Sequence, residues 1–180
     1  MTGRVFTVVG PSGVGKDTLL SGAVAASPRL HWARRTITRP EVAGGEPFAG
    51  VTPEVFCQMQ AAGAFVLHWQ AHGLSYGIAG AEFSALDQGR DVVFNGSRAA
   101  LPAALVQYPQ LIVLRISAPS QVLAERLAAR GRETRAEIGA RLARVGYLLP
   151  EGLQVIDIAN DASPGEGVAR MLAALQPARL

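Results

Sequence analysis

The chain of 180 residues has little of several residue types, and each shortage excludes a class of site. It has one cysteine, Cys57, so no disulfide can form within the chain and a multi-thiolate zinc site is excluded; packing is the expected role of Cys57. No apolar run reaches membrane-spanning length, and Met1 leads into the first apolar segment without a secretory signal. We therefore expect a cytoplasmic protein that does not bind a membrane.

The positive charge of the chain does not predict a nucleic-acid partner. The net charge is +3, but the arginines are spread along the chain and only 6% of the residues are aromatic. A basic tail or a basic patch with interleaved aromatic residues, which would indicate nucleic acid, is absent from the sequence. The expected partner is a small phosphorylated ligand, and a homodimer stays open.

Lysine occurs once among the 17 basic residues, and this Lys16 lies in a glycine-rich segment. The segment consists of Gly10, Pro11, Ser12, Gly13, Val14, Gly15, Lys16, Asp17 and Thr18. An apolar, β-branched run precedes it and a helix-like run follows it. This order is typical of a phosphate-binding loop, in which backbone N–H groups and the lysine hold the nucleotide phosphates. The segment therefore predicts an ATP-using enzyme with Lys16 as a catalytic residue.

Asp17 departs from the usual form of this loop, where a serine or threonine follows the lysine and ligates Mg²⁺. A carboxylate beside a polyphosphate is repelled unless a cation lies between them. Two interpretations stay open. Either Asp17 helps to hold Mg²⁺ while Thr18 binds a phosphate oxygen, or Asp17 is a helix N-terminal acid that the helix dipole stabilises.

The pattern of apolar runs predicts an α/β fold with a central parallel sheet. Short, largely apolar runs suit strands that are covered on both faces, and they occupy residues 5–9, 92–94, 111–116 and 155–158. Helices are expected over residues 16–26, 99–107, 120–129, 135–149 and 164–175. The interval between the first two strands is too long for a loop. We expect one domain, 1–180, with a core (1–33 and 91–180), an acceptor-binding insert (about 34–90) and an arginine-rich lid (about 130–140).

Further motifs carry a resemblance to a known family. Residues 36–40, 45–46, 63–77, 126–131 and 141–142 resemble guanylate kinase in order and spacing over nearly the whole chain. Within that superfamily, residues 10–17, 37–40, 91–99, 130–133 and 141–144 are most similar to the ribose 1,5-bisphosphate phosphokinases, the PhnN family of phosphonate breakdown. The resemblance implies a three-layer P-loop kinase fold. It also implies transfer of a phosphoryl group from ATP to ribose 1,5-bisphosphate, which gives 5-phosphoribosyl 1-diphosphate.

Departures from guanylate kinase support the choice of family. Guanylate kinases read the base with acidic side chains, whereas this chain has Leu67 at one such place and the 95–98 turn at the other. Without carboxylates to accept hydrogen bonds from guanine, recognition of that base should be poor. A second arginine expected near residues 40–42 is also absent, and Arg98 is present elsewhere.

The resemblance assigns further site residues. Arg39 is the candidate clamp on an acceptor phosphate. Tyr76 either donates its hydroxyl to the same phosphate or is an ordinary half-buried tyrosine. Asn95 and Arg98 follow a strand, so they should face the acceptor at the carboxyl edge of the sheet, while Ser97 more simply caps the next helix. By family position, Arg130 and Arg141 are the catalytic lid arginines.

The histidines and Asn160 are given no catalytic role, and two rival functions remain. His68 and His72 are assigned packing and turn roles, because an attacking phosphate oxygen is already ionised and needs no base. Asn160 lies either at an adenine-side turn or at a plain turn. The rivals are a guanylate or other nucleoside-monophosphate kinase and a non-catalytic guanylate-kinase-like interaction domain.

Overall fold

The computed structural model describes residues 3–41, 46–129 and 149–176. In these ranges the strands are β1 (Val5–Val9), β2 (Leu30–Trp32), β3 (Arg35–Ile37), β4 (Phe48–Gly50), β5 (Phe65–Ala71), β6 (Leu74–Ala79), β7 (Asp91–Asn95), β8 (Ile112–Ser117) and β9 (Gln154–Ala159). The α-helices are α1 (Lys16–Ala26), α2 (Pro53–Ala61), α3 (Leu101–Gln107), α4 (Ser120–Ala129) and α5 (Pro164–Leu175). Two 3₁₀ helices, Gly80–Leu86 and Arg98–Ala100, lie before β7 and α3.

The central sheet is parallel throughout and has the strand order β2-β7-β1-β8-β9. All five residues of β1 are buried, because helices cover both faces of the sheet. On one face Phe6, Val8 and Leu114 pack with residues of α1, α4 and α5. On the other face Phe94 and Val92 pack with α3 and with the residues that follow β2. Their apolar, β-branched sequences suit strands enclosed in this way.

A second sheet of four strands, with the order β4-β3-β6-β5, is formed by the part of the chain that follows β2 and precedes β7 in sequence. Strands β5 and β6 make an antiparallel hairpin that turns at Gly73, and His72 adopts a left-handed conformation with φ 52° there. Leu67, Trp69 and Ile78 of this sheet pack into the same cluster as Phe94 of the central sheet. One face of the second sheet is therefore held against the core.

The predicted α/β class with its central parallel sheet and flanking helices is confirmed. The prediction missed β2, a three-residue edge strand whose last two residues are only half-buried. The helix expected over 135–149 lies almost wholly outside the described residues. The packing role expected for Cys57 is wrong, because Cys57 is exposed and Phe56 is the residue that α2 buries. Across the described residues, the helices are too short or too polar to cross a membrane.

Candidate active site

The glycine-rich loop joins β1 to α1 at the carboxyl edge of the central strand. Gly13 and Gly15 have φ angles of 84° and 92°, a left-handed conformation that side chains with a Cβ rarely adopt. A Cβ on Gly15 would also lie 2.6 Å from the amide nitrogen of Asn160. The glycines therefore fit the loop for both conformational and steric reasons, and α1 directs its N-terminus toward this place.

Lys16 folds back over this loop. Its Nζ donates to the carbonyl oxygen of Gly10 at 2.9 Å and to that of Pro11 at 3.1 Å. The ammonium is thus held at the mouth of the loop, where a flexible stem can carry it to an incoming phosphate. This is the place that the sequence predicts for a phosphate-binding lysine.

Asp17 contacts another predicted site residue. Its Oδ1 accepts a hydrogen bond of 2.8 Å from Nδ2 of Asn95, although the two residues lie 78 positions apart in the sequence. The contact forms because β7 pairs with β1 in parallel, with Asn95 opposite Val8. The nucleotide loop and the end of β7 are therefore joined directly.

Asn160 and Arg126 support the loop from the other side. Asn160 is buried and donates from Nδ2 to the carbonyl oxygen of Val14 at 2.7 Å. Arg126 donates to the carbonyl oxygen of Asn160 at 3.0 Å. A cavity of about 250 Å³ lies beside them, lined by Gly13, Gly15, Thr18, Leu19, Arg126, Ala129, Asn160 and Pro164. The cavity therefore adjoins the glycine-rich loop and the first turn of α1.

The second sheet presents the predicted acceptor residues Arg39 and Tyr76. The Cζ atom of Arg39 lies 4.3 Å from the ring centre of Phe48. Tyr76 stacks on Trp69 with a centroid distance of 5.3 Å and an interplanar angle of 5°. Both side chains are half-buried, and both pack against an aromatic ring.

Arg35 and Glu46 form a buried ion pair on the same sheet. Arg35 binds Oε1 of Glu46, and their side chains are 11% and 2% exposed. The Cζ atom of Arg35 lies 5.0 Å from the ring centre of Tyr76. Burial is the main cause that lowers the pKa of Arg35 to about 10; Tyr76 and Asp17 oppose this shift, and the positive charge of Arg39 adds to it.

The sequence analysis did not assign a role to Arg35. It is the first residue of a three-residue strand and lies beside an exposed arginine, Arg34, so nothing local distinguishes it. The one signal that could have indicated a role for Arg35 is its place directly before Thr36 and Ile37, which are buried. A charged residue in a buried segment needs a partner or a ligand. The charges of Asp17 and Arg39 both act on the pKa of Arg35.

Of the remaining predicted site residues, the structure describes those that follow β7 and does not describe the lid arginines. Arg98 is exposed and begins the 3₁₀ helix that follows β7. Ser97 caps that helix, because its Oγ accepts from the amide of Ala99 at 3.2 Å. Arg130 and Arg141, together with the lid of residues 130–140, lie outside the described residues.

Comparison with known proteins identifies the family. A protein of Azorhizobium caulinodans named bifunctional ribose 1,5-bisphosphokinase-thymidine phosphorylase is 47% identical over 99% of this chain. A ribose 1,5-bisphosphate phosphokinase PhnN of Ruegeria sp. is 45% identical, over 98% of this chain and 94% of its own length. The chain belongs to the PhnN family. This confirms the resemblance read from its motifs.

Three further findings describe how the chain compares with known proteins. The chain spans 27% of the length of the Azorhizobium protein, so that relative extends far beyond the shared region. A solved guanylate kinase of Anaplasma phagocytophilum has the same fold, with a TM-score of 0.70 over 97% of the PhnN chain and 85% of the kinase, at 16% identity. A scan of protein-family models finds none that matches the chain.

Proposed function

We propose that the chain transfers the γ-phosphoryl group of ATP to ribose 1,5-bisphosphate, giving ADP and 5-phosphoribosyl 1-diphosphate, as a step in phosphonate breakdown. The observation that supports this most is the 45% identity to a PhnN protein over nearly the full length of both chains. The geometry agrees with a kinase, because Lys16 is held over the glycine loop, a cavity adjoins that loop, and Asp17 at the start of α1 contacts Asn95 at the end of β7.

The reaction that we propose is an in-line displacement. An oxygen of the 1-phosphate of the acceptor attacks the γ-phosphorus of ATP, and the bond from that phosphorus to the β–γ bridging oxygen breaks. Loop amides and Lys16 hold the β- and γ-phosphates, and Arg39 orients the attacking phosphate. We assign stabilisation of the transferring group to Arg130 and Arg141, and contacts with the acceptor to Tyr76, Asn95 and Arg98. No base is required, since the attacking phosphate is largely ionised at neutral pH.

The residues beside the loop fit a magnesium ion. Mg²⁺ prefers oxygen ligands and is commonly held by one or two carboxylates, water and substrate phosphates. Asp17 supplies such a carboxylate, and its hydrogen bond from Asn95 fixes the direction of the carboxylate. When bound, the ion would offset negative charge on the β–γ bridge.

Replacing Asp17 tests this metal role. In Asp17→Ala we expect the Mg²⁺ concentration for half-maximal rate to rise at least about tenfold, because removal of a ligand or its support weakens metal sites by roughly 10- to 100-fold. The measurement is a titration of rate against Mg²⁺ at fixed ATP. Asn95→Ala is the matched variant, since it removes the hydrogen bond and leaves the carboxylate. An unchanged Mg²⁺ requirement in Asp17→Ala would assign Asp17 to the helix dipole alone.

A choice of acceptors tests the function itself. We expect turnover of ribose 1,5-bisphosphate and a kcat/KM for GMP that is at least about 100-fold lower, because the pocket offers no carboxylate for guanine at Leu67. Leu67 is 3% exposed and packs in the apolar core. The measurement is ADP release with each acceptor, side by side. A preference for GMP would favour the nucleoside-monophosphate kinase, and failure to bind ATP with Mg²⁺ would favour the interaction domain.

A further inference from the structure

The buried Arg35–Glu46 ion pair is unusual in the interior of a small sheet. An ion pair as buried as this one is commonly less stable than apolar side chains of the same volume, because both charges lose their water. Arg35 lies opposite Ile78, a residue of the core cluster, so an apolar pair would be the simpler solution here. The pair therefore calls for a reason other than stability.

The hydrogen bonding around this pair is incomplete. Nε of Arg35, Oε2 of Glu46 and Nε1 of Trp69 are all buried, and none has a hydrogen-bond partner among the described residues. A buried polar cluster that is only partly satisfied is destabilising, and a bound ion is one way in which such groups are completed. Two of the three atoms are N–H donors, and an anion would accept from them.

The electrostatic surroundings also favour an anion. Arg35 feels the repulsion of Arg39 and is desolvated, and both effects disfavour its charge. A bound anion near the two guanidinium groups would offset both effects. Glu46 neutralises part of the charge and holds the guanidinium in one orientation, and the Nε–H group of Arg35 has no partner among the described residues.

The proposed acceptor carries two phosphate groups, each with a charge near −2 at neutral pH. The product has its diphosphate at C1, so the 1-phosphate reacts and the 5-phosphate does not. Arg39, which packs on Phe48 of β4, is the proposed clamp for the reacting phosphate. Arg35 lies instead over Tyr76 and Trp69 of the β5–β6 hairpin, with ring centres at 5.0 and 5.9 Å. Two separately seated guanidinium groups suit an acceptor with two phosphates.

We propose that Arg35 binds the 5-phosphate of the acceptor and thereby determines specificity for a sugar bisphosphate, with Glu46 as the positioning residue. This inference rests on the proposed function. It assigns to the second sheet a site for the phosphate that takes no part in the chemistry.

The test replaces the whole pair. Arg35→Met alone would leave the carboxylate of Glu46 buried without its partner, so the double variant Arg35→Met/Glu46→Leu keeps the interior apolar and filled. Arg34→Met is the matched control, because Arg34 is the neighbouring arginine and its side chain is 53% exposed. Thermal unfolding checks that each variant folds. Arg35→Lys tests the geometry, since lysine keeps the charge and loses the planar fork.

The readout compares two competitors that each carry one phosphate. In the double variant the inhibition constant of ribose 5-phosphate should rise about 10- to 100-fold, the range for loss of a charged hydrogen bond. That of ribose 1-phosphate should change less than about threefold. In the double variant, KM for ribose 1,5-bisphosphate should rise by a similar factor to the inhibition constant of ribose 5-phosphate, while kcat changes little. Arg35→Lys should recover only part of the lost binding of ribose 5-phosphate.

The outcomes separate this inference from the function on which it rests. Equal weakening of both competitors, or no change in either, overturns the role of Arg35 while the kinase activity of the unmodified chain stands. If the unmodified chain does not turn over ribose 1,5-bisphosphate, the proposed function fails first. A selective loss of ribose 5-phosphate binding, with Arg34→Met unchanged, supports the inference.

Discussion

Lys16→Ala is expected to lower kcat by at least about 10³-fold while the protein stays folded, because cations that contact the transferring phosphate contribute effects of this size. The Nζ atom donates to two loop carbonyls, those of Gly10 and Pro11, and the side chain lies outside the apolar clusters of the core. We therefore expect the variant to fold. The measurement is single-turnover ADP formation, with thermal unfolding to verify the fold.

Lys16→Arg is the informative control for this prediction. It keeps the positive charge but replaces the compact ammonium with a planar guanidinium that must fit above the same two carbonyls. The chain uses arginine at its 16 other basic positions, so a tolerant site would accept one here. We expect most of the activity to be lost in Lys16→Arg as well. Substantial turnover by Lys16→Ala would count against the whole assignment.

The second large effect is expected from Gly15→Ala, which should lower kcat/KM for ATP about 100-fold or more. Alanine is strained at φ 92°, and its Cβ would lie 2.6 Å from the amide of Asn160. Either the loop or Asn160 must move, and the backbone N–H groups that should hold the phosphates move with the loop. The loss of one such preorganised donor commonly costs about 10²- to 10³-fold in rate.

Gly63→Ala provides the control for backbone strain. Gly63 also has a left-handed conformation, with φ 69°, but a Cβ there meets no atom within 4 Å. The substitution should reduce the free energy of unfolding by about 1–2 kcal/mol and leave kcat/KM for ATP unchanged. Equal losses of activity in Gly15→Ala and Gly63→Ala would indicate global destabilisation in place of a damaged nucleotide loop.

The three inner strands of the central sheet could be predicted from sequence because they are buried on both faces. Such strands need apolar runs, and β1, β7 and β8 show them. The edge strand β9 buries only Ile158 and was predicted from residues 155–158. Helices α1, α4 and α5 could be predicted with the same bounds, since helical periodicity persists over ten residues or more in each. The missed β2 is short and lies at the sheet edge, where burial imposes a pattern on one residue only.

The nucleotide side of the site could be predicted for a different reason. Its residues are adjacent in sequence, and the chemistry of phosphate binding dictates their types and spacing. The bond between Asp17 and Asn95 was not foreseen, because it depends on the register of β7 against β1. Arg35 and Glu46 were missed for the same reason, since only the folded sheet brings them together.

The position of Asn160 has a consequence for how the sequence can vary. Its side-chain amide supports Val14 and also fills the space beside Gly167, where a Cβ would lie 2.5 Å from Oδ1 of Asn160 and 2.7 Å from a methyl group of Leu19. The side-chain amide of Asn160 thus limits the size of the residue at position 167 of α5 and also holds the glycine-rich loop at Val14. Substitutions at these places should be epistatic: a larger residue at 167 becomes acceptable only where position 160 has become smaller and the Leu19 side chain has moved, and then the loop loses its anchor.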